Sequence, residues 1–456
     1  MAEEKNILDY YQDIKHDLGE LVAIRSVSCE GSEMPEKALE YILGKASEMG
    51  FEIKKIGNIA GHIEYGEGSG IAAVLAHVDV VPAGDGWSTE PFALTEKDGR
   101  LFGRGVVDDK GSAVAALYCL KALKDSGIVP KRKIRIIVGA AEEIGMHDME
   151  SYFASEKMPD MAFTPDSDYG ICVSEKGIMH LEISAPSHDG TILTELHSGN
   201  AINAVPAKAY ALVDCTEPEE SQLRRFADAR PGDYDFIFTQ DGLHIEARGK
   251  AAHASTPEQG LNIAAVLIKI LAANFGEFAL GSLCSFIDDA IGLELDGSSL
   301  GIACSDLESG SLTVNLGRVD IDETVCKAYL DIRYPVSADS GGILRKIRQR
   351  AAIDGLKTKL MEHELPLSME KDSPVVRILS QAYEKVMGEK PELYSTGGGT
   401  YARTLNNCGV AFGPTFPGDE THIHDADESI SVENFRRHLM ICMEAIKGFA
   451  VYDKSE

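Results

Sequence analysis

A chain of 456 residues is too long for one ordinary hydrophobic core, so two or three domains are expected. Its 44% hydrophobic and 26% charged residues describe a soluble globular protein, and no apolar run reaches the length of a membrane span. A net charge of −29 argues against nucleic acid and anionic membrane surfaces as natural partners. The N-terminal stretch MAEEKNILDYYQ has no basic segment followed by an apolar one, so no signal peptide is expected. Nine cysteines without a C-x-x-C pair suit a reducing compartment, in the simplest reading the cytoplasm.

Helical spacing of apolar residues runs over 7–23 and 35–49, followed by short strands at 51–56, 60–65 and 71–76. A helix over 110–125 starts with Gly and Ser, and KIRIIVGA (133–140) is a buried strand leading into Glu142-Glu143. Helices alternating with near-continuously apolar strands predict an α/β domain with a mixed, mostly parallel sheet covered by helices. From His180 the texture turns to alternating strands, and a Lys-Ala-Tyr triplet opens two of them, at Lys208 and Lys327, each followed by a polar amphipathic helix. That echo predicts an inserted α+β domain with two related halves. A helix over 374–387, the glycine loop STGGGTYAR and a helix over 432–452 return to the first texture. The expected organisation is therefore a discontinuous first domain, 1–179 and 374–456, interrupted by an inserted domain over 180–373.

Ligands collect outside the carboxyl ends of strands in parallel sheets. His77, Asp79, Glu142, Glu143 and Asp166 all follow apolar strands, and Asp108-Asp109 lies behind a Gly-Arg-Gly turn. A histidine with several carboxylates at strand ends suits divalent metal, and two adjacent metals need a bridging ligand. The candidate ligands are His77, Asp108, Glu143, Asp166 and His424, with His422 a competitor for the last. Glu142 would remain a free carboxylate, placed to act as general base. Asp79 is expected to accept a hydrogen bond from the His77 ring and fix its tautomer. Taken alone, each motif has a plain structural reading: Asp108-Asp109 as a helix cap, Glu142-Glu143 as acids at a helix start. In the inserted domain, His253 in GKAAHASTP is either a surface loop histidine or an oxyanion donor. Arg333 is either an edge arginine or a bidentate carboxylate partner. Gly397, Gly398 and Gly399 lack the Lys-Ser/Thr of a phosphate loop and fit backbone amides approaching a substrate carboxylate.

The motifs HVDVVPAGDGW, GRGVVDDKG, AEEIG, TPDSD, NAVP, GKAAHAS, GGGTYAR and HIHDADE together resemble the co-catalytic dizinc exopeptidases. That group includes carnosinases, aminoacylases and succinyl-diaminopimelate desuccinylases, and within it the likeness is greatest to PepV-type dipeptidases. The resemblance implies that His77 and Asp166 bind one zinc and that Glu143 and His424 bind the other. It implies that Asp108 bridges them through a cis peptide to Asp109, that Asp79 orients His77, and that Glu142 is the base. It further implies that His253 polarises the scissile carbonyl, with Asn203 near it, while Arg333 and the Gly397–Gly399 loop hold the substrate carboxylate. Where the family often has Asn, this chain has Asp427, which is not a ligand. A doubled lid implies a monomer, since relatives with a short lid dimerise and borrow the histidine. The implied activity is zinc-dependent hydrolysis of unblocked dipeptides, with manganese or cobalt able to occupy such ligands. Two alternatives are deacylation of N-acyl amino acids by the same chemistry and a catalytically silent binding protein on the same scaffold.

Overall fold

A computed structural model describes residues 5–452. The first four residues of the N-terminal stretch read for a targeting signal lie outside that range. The chain opens with α1 (Tyr11–Ala23) and α2 (Glu33–Glu48), then β1 (Glu52–Ile56), β2 (Ala60–Tyr65) and β3 (Ile71–His77). After a long loop come α3 (Lys110–Asp125), β4 (Lys133–Gly139), α4 (His147–Phe153), β5 (Met161–Thr164) and β6 (Ile171–Glu175). The inserted segment carries β7 (Gly177–Ser184), β8 (Leu193–Ser198), β9 (Lys208–Val213), α5 (Glu217–Asp228), β10 (Asp233–Thr239) and β11 (Gly242–Arg248). It continues with α6 (Ile263–Phe275), β12 (Thr313–Ile321), β13 (Cys326–Tyr334), α7 (Ser340–Ile353) and β14 (Lys357–Glu364). The chain then returns through β15 (Leu367–Ser368), α8 (Pro374–Met387), β16 (Leu393–Thr396), β17 (Gly409–Ala411) and α9 (Val432–Val451). Sequence periodicity located most of these elements. It did not locate α4, α6, β6, β8, β10, β14, β15 or β16, and the first turn, Ile7–Tyr10, winds as a 3-10 helix rather than opening an α-helix.

Two compact units result. One comprises the chain up to Ser174, Leu367–Ser395 and the chain from Gly399 onward; the other comprises Glu175–Pro366 and Thr396–Gly398. The junctions expected at 179/180 and 373/374 thus fall several residues earlier. The physical reason is strand membership: β7 pairs into the second sheet from Gly177, and β15 pairs into the first.

The first unit holds a nine-stranded mixed sheet, ordered β1-β2-β4-β3-β5-β17-β6-β15, with β16 beside β6. Its parallel part is the centre: β3 runs parallel to β4 and β5, and β5 to β17. Antiparallel β1 and β2 flank one side and β6 the other. All seven residues of β3 are buried, as expected of a strand covered on both faces. Its register sets His77 opposite Gly139, so the strands deliver His77 and the Glu142-Glu143 turn to the same rim. α3 is buried along most of its length, and its start is possible only with glycine at 111, because a Cβ there would overlap the Val106 carbonyl.

The second unit is an eight-stranded antiparallel sheet, ordered β10-β11-β9-β8-β12-β13-β7-β14. Its two halves meet where β8 pairs with β12. Ala209 of the first Lys-Ala-Tyr lies opposite Ser198, Ser198 opposite Val319, and Val319 opposite Ala328 of the second. The two triplets therefore stand equally far from the join. α5 leads to edge strand β10 and α7 to edge strand β14, so the halves repeat each other.

Gly139 closes β4, and a methyl group there would overlap both the Tyr401 hydroxyl and the Asp148 carboxylate. Those two side chains bind one another, and Asp148 accepts from the backbone N–H groups of Ala140 and Ala141, just before Glu142. Gly139→Ala is expected to cost about 1–3 kcal/mol by overpacking and to lower turnover, which thermal unfolding and steady-state kinetics will show.

Candidate metal centre

The loop that presents Asp108 is shaped by one buried carboxylate. Glu428 is fully buried; its Oε2 accepts from Arg104 Nη1 at 2.8 Å and Gly105 N at 3.0 Å. Its Oε1 accepts from Val107 N at 2.9 Å and Asp108 N at 3.2 Å. Arg104 Nη2 in turn donates to the carbonyls of Pro82, Ala83 and Asp425, tying three loops together. On the far side, Lys110 Nζ donates to Leu21 and Ile24 at the end of α1. The Asp108–Asp109 peptide is cis.

Asp108 lies between two histidines and gives one oxygen to each. His77 Nε2 is 2.8 Å from its Oδ1, and His424 Nε2 is 2.9 Å from its Oδ2. Asp166 Oδ2 is 3.9 Å from His77 Nε2, and Glu143 Oε1 is 3.3 Å from His424 Nε2. His424, rather than His422, makes these contacts. Glu142 shares a compact group with His77 and Asp166, every ligand atom within 4.8 Å of the others; His77, Asp108 and Glu143 form a second such group.

These residues fit divalent cations on a hydrogen-bond argument. His77 Nδ1 is 3.0 Å from the backbone carbonyl of Asp79. A carbonyl only accepts, so in the neutral ring Nδ1 carries the hydrogen and Nε2 presents a lone pair. That lone pair faces Asp108 Oδ1, an arrangement that holds only with a proton or a cation between them. His77 Nε2, Asp108 Oδ1 and Glu143 Oε1 are buried and lack a hydrogen-bond partner. Burial pushes the carboxyls of Asp109, Glu142, Glu143 and Asp166 upward. Keeping such a cluster charged in a dry pocket requires compensating positive charge, which divalent cations would supply. His77, Asp108 and Glu143 form one group that could hold a cation and His77, Glu142 and Asp166 another, with His424 beside Asp108 and Glu143.

Asp79 differs from its sequence expectation. The hydrogen bond to His77 comes from its backbone oxygen, with Oδ1 farther away at 3.4 Å. Its carboxylate instead accepts from Glu142 N and Glu143 N, each at 3.2 Å, and so fixes the turn bearing both glutamates. Asp427 accepts from Ser88 N and Oγ, away from the ligand cluster.

In the second unit the singled-out residues are neighbours. Ala204 pairs with His253, and Ala254 N donates to Asn203 O. Ser255 N donates to His253 Nδ1 at 3.3 Å, with Ser255 Oγ 2.7 Å from the same nitrogen. Because a backbone N–H can only donate, Nδ1 accepts, and the neutral ring carries its hydrogen on Nε2. Gly397 packs so closely on Ser255 that a Cβ would sit 2.8 Å from the Ser255 Cβ, and its carbonyl accepts from Arg333 Nη1 at 3.2 Å. Gly398 N is committed to Thr396 Oγ1, so this amide is not available to a substrate, contrary to expectation. Gly399 belongs to the first unit, where a side chain would strike the Arg403 guanidinium.

Sequence reasoning assigned no role to Arg104, Glu428, Asp148, Ser255 and Asn315, although Arg104, Ser255 and Glu428 lie within the motifs GRGVVDDKG, GKAAHAS and HIHDADE. Asn315 Nδ2 donates to the carbonyls of Ile202 and Ala204, on either side of Asn203. For Asp148 and Asn315 the sequence offered no signal.

A family model, peptidase family M20/M25/M40, matches residues 73–448, and the chain belongs to that family: it is a peptide-bond hydrolase. Among curated relatives, YtjP of Bacillus subtilis (strain 168), provisionally named a dipeptidase, is 34% identical over 98% of this chain and 99% of its own. The fold is similar to that of an M20 family metallo-carboxypeptidase, Sso-CP2, from Sulfolobus solfataricus, with a TM-score of 0.60 at 16% identity, covering 96% of this chain and 99% of that one. It is also similar to human carnosine dipeptidase 1, with a TM-score of 0.59 at 14% identity and 97% of each chain covered.

Glu428→Ala removes the acceptor for one buried guanidinium and three backbone N–H groups. It is expected to destabilise the protein by about 3–5 kcal/mol and to weaken metal uptake, read by thermal unfolding with and without a chelator.

Proposed function

We propose that this peptidase is a dizinc dipeptidase that hydrolyses unblocked dipeptides. The observation that carries the reading is Asp108, offering one carboxylate oxygen to His77 and the other to His424. In this proposal His77 and Asp166 hold one zinc, Glu143 and His424 hold the other, and Asp108 bridges. Bound zinc supplies Lewis acidity, favouring ionisation of water and polarising the peptide carbonyl. Manganese or cobalt could take the same ligands.

Glu142 is the general base. The Asp79 carboxylate holds its backbone, and burial raises its carboxyl, which suits a group that takes a proton from attacking water and returns it to the leaving amine. His253, with its hydrogen on Nε2, donates to the oxyanion as charge develops on the carbonyl oxygen, and Asn203 lies beside it. Arg333 and the backbone N–H groups of Gly397 and Gly399 read the free α-carboxylate, the Gly398 N–H being taken by Thr396 Oγ1, and this restricts the substrate to short peptides. One chain carries the whole residue set, which supports a monomer, and the cytoplasm is the proposed location. Among the described residues no helix is long and apolar enough to cross a membrane.

The test is a panel of unblocked dipeptides, tripeptides and N-acyl amino acids, assayed after chelation and after re-addition of zinc or manganese. Dipeptide turnover should require metal, and Glu142→Ala should lower kcat by about 10²–10⁴-fold, with N-acyl amino acids untouched. Deacylation without dipeptide cleavage would replace the proposed substrate class.

A further inference from the structure

His180 belongs to no motif, yet it sits at the centre of a row of charges in the second sheet. Glu362 of β14 lies directly opposite His180 of β7, and His180 lies opposite Asp331 of β13. Arg333 is two residues along β13, on the same face as Asp331. The contacts follow that register. Glu362 Oε2 is 2.7 Å from His180 Nδ1, and Asp331 Oδ2 is 3.0 Å from His180 Nε2. Arg333 Nε donates to Asp331 Oδ1 and Nη2 to Asp331 Oδ2, both at 2.6 Å. Asp331 is fully buried and Arg333 is only 3% exposed.

Charge and geometry agree. Both His180 ring nitrogens face carboxylates, which only accept when ionised, so the ring is an imidazolium. Burial would lower it, but Asp331 and Glu362 outweigh that and raise it to about 9. Asp331, which burial alone would raise, is held below the usual carboxylate range by His180 and Arg333. The row alternates in sign: Glu362, His180, Asp331, Arg333. Each inner charge is shared between two neighbours, so Asp331 grips one edge of the guanidinium without taking its whole charge. With Nη1 also donating to Gly397 O, three of the five N–H groups are committed. One remains on each terminal nitrogen, a pair that a second carboxylate can take.

We propose that Asp331 and His180 are positioning residues for substrate recognition, locking the Arg333 guanidinium so that its remaining N–H pair is presented to the α-carboxylate of the peptide. This rests on the reading of Arg333 as the carboxylate partner. An arginine with several rotatable bonds would lose conformational freedom on binding; a row set by strand register removes that cost beforehand.

The test compares a dipeptide with its C-terminal amide on the zinc-loaded enzyme, for wild type, Arg333→Lys, Asp331→Asn and His180→Gln. Circular dichroism and thermal unfolding check that each variant is folded. His180→Gln leaves the buried Asp331–Arg333 pair in place, so it remains informative if Asp331→Asn fails to fold. Asp331→Asn is expected to raise KM for the free dipeptide about tenfold and His180→Gln severalfold, with kcat within twofold and the amide unaffected. The inference is overturned if Arg333→Lys raises KM for the free dipeptide while both positioning variants leave it unchanged. Equal losses on dipeptide and amide, or a fall in kcat alone, would likewise overturn it by showing a general structural role. An unchanged KM in Arg333→Lys would instead remove the reading on which the inference stands.

Discussion

Glu428 holds four hydrogen bonds in a place where no water can replace them, and the loop that presents Asp108 has its shape because of this. A loop lacks the repeating ladder by which helices and strands satisfy their backbone, so each buried N–H needs an individual acceptor. Glu428 serves three backbone groups and one guanidinium, and Arg104 spends its other end on three carbonyls from two places in the chain. The result is a rigid mount for a carboxylate that must direct two oxygens at two different histidines. Rigid support of this kind lets a ligand keep its geometry when neighbouring charges change.

The same device recurs at the adjoining turn. Asp148 accepts from Ala140 and Ala141, and Asp79 from Glu142 and Glu143, so four consecutive N–H groups beyond β4 are fixed by two carboxylates. Gly139 leaves the space in which the first of these sits. Asp108, Glu142 and Glu143 are thus each held through the backbone by an acid outside the ligand groups. The arrangement concentrates negative charge at the carboxyl ends of the parallel strands, costly without cations and favourable with them.

In the second unit, strand register does the work that loops do in the first. The row Glu362–His180–Asp331 continues to Asn315 of β12, which lies opposite Asp331 and holds the carbonyls on both sides of Asn203. One line of side chains across four strands therefore links the surroundings of Arg333 to the loop next to His253. A slip of one residue would turn every member to the other face.

Much of this was legible in the sequence. Apolar periodicity located α1, α2, α3 and the strands β1 to β4, because burial on one or both faces writes itself directly into residue order. His77, Asp108, Glu142, Glu143, Asp166 and His424 were legible as chemistry-bearing residues at strand ends and turns, and the Lys-Ala-Tyr echo disclosed a repeated half. What the sequence by itself determined is which side chains are chemically suited to cation and proton chemistry, and that His77, Glu142, Glu143 and Asp166 follow apolar strands. Tertiary structure alone decided which partner each one meets. Asp79 bonds His77 through its backbone rather than its carboxylate, Glu428 reaches a loop more than three hundred residues earlier in the chain, and His180 acquires a partner on each side. Periodicity reports how a residue faces its own element, whereas a hydrogen bond between distant segments depends on loop paths and strand register, which no local pattern encodes.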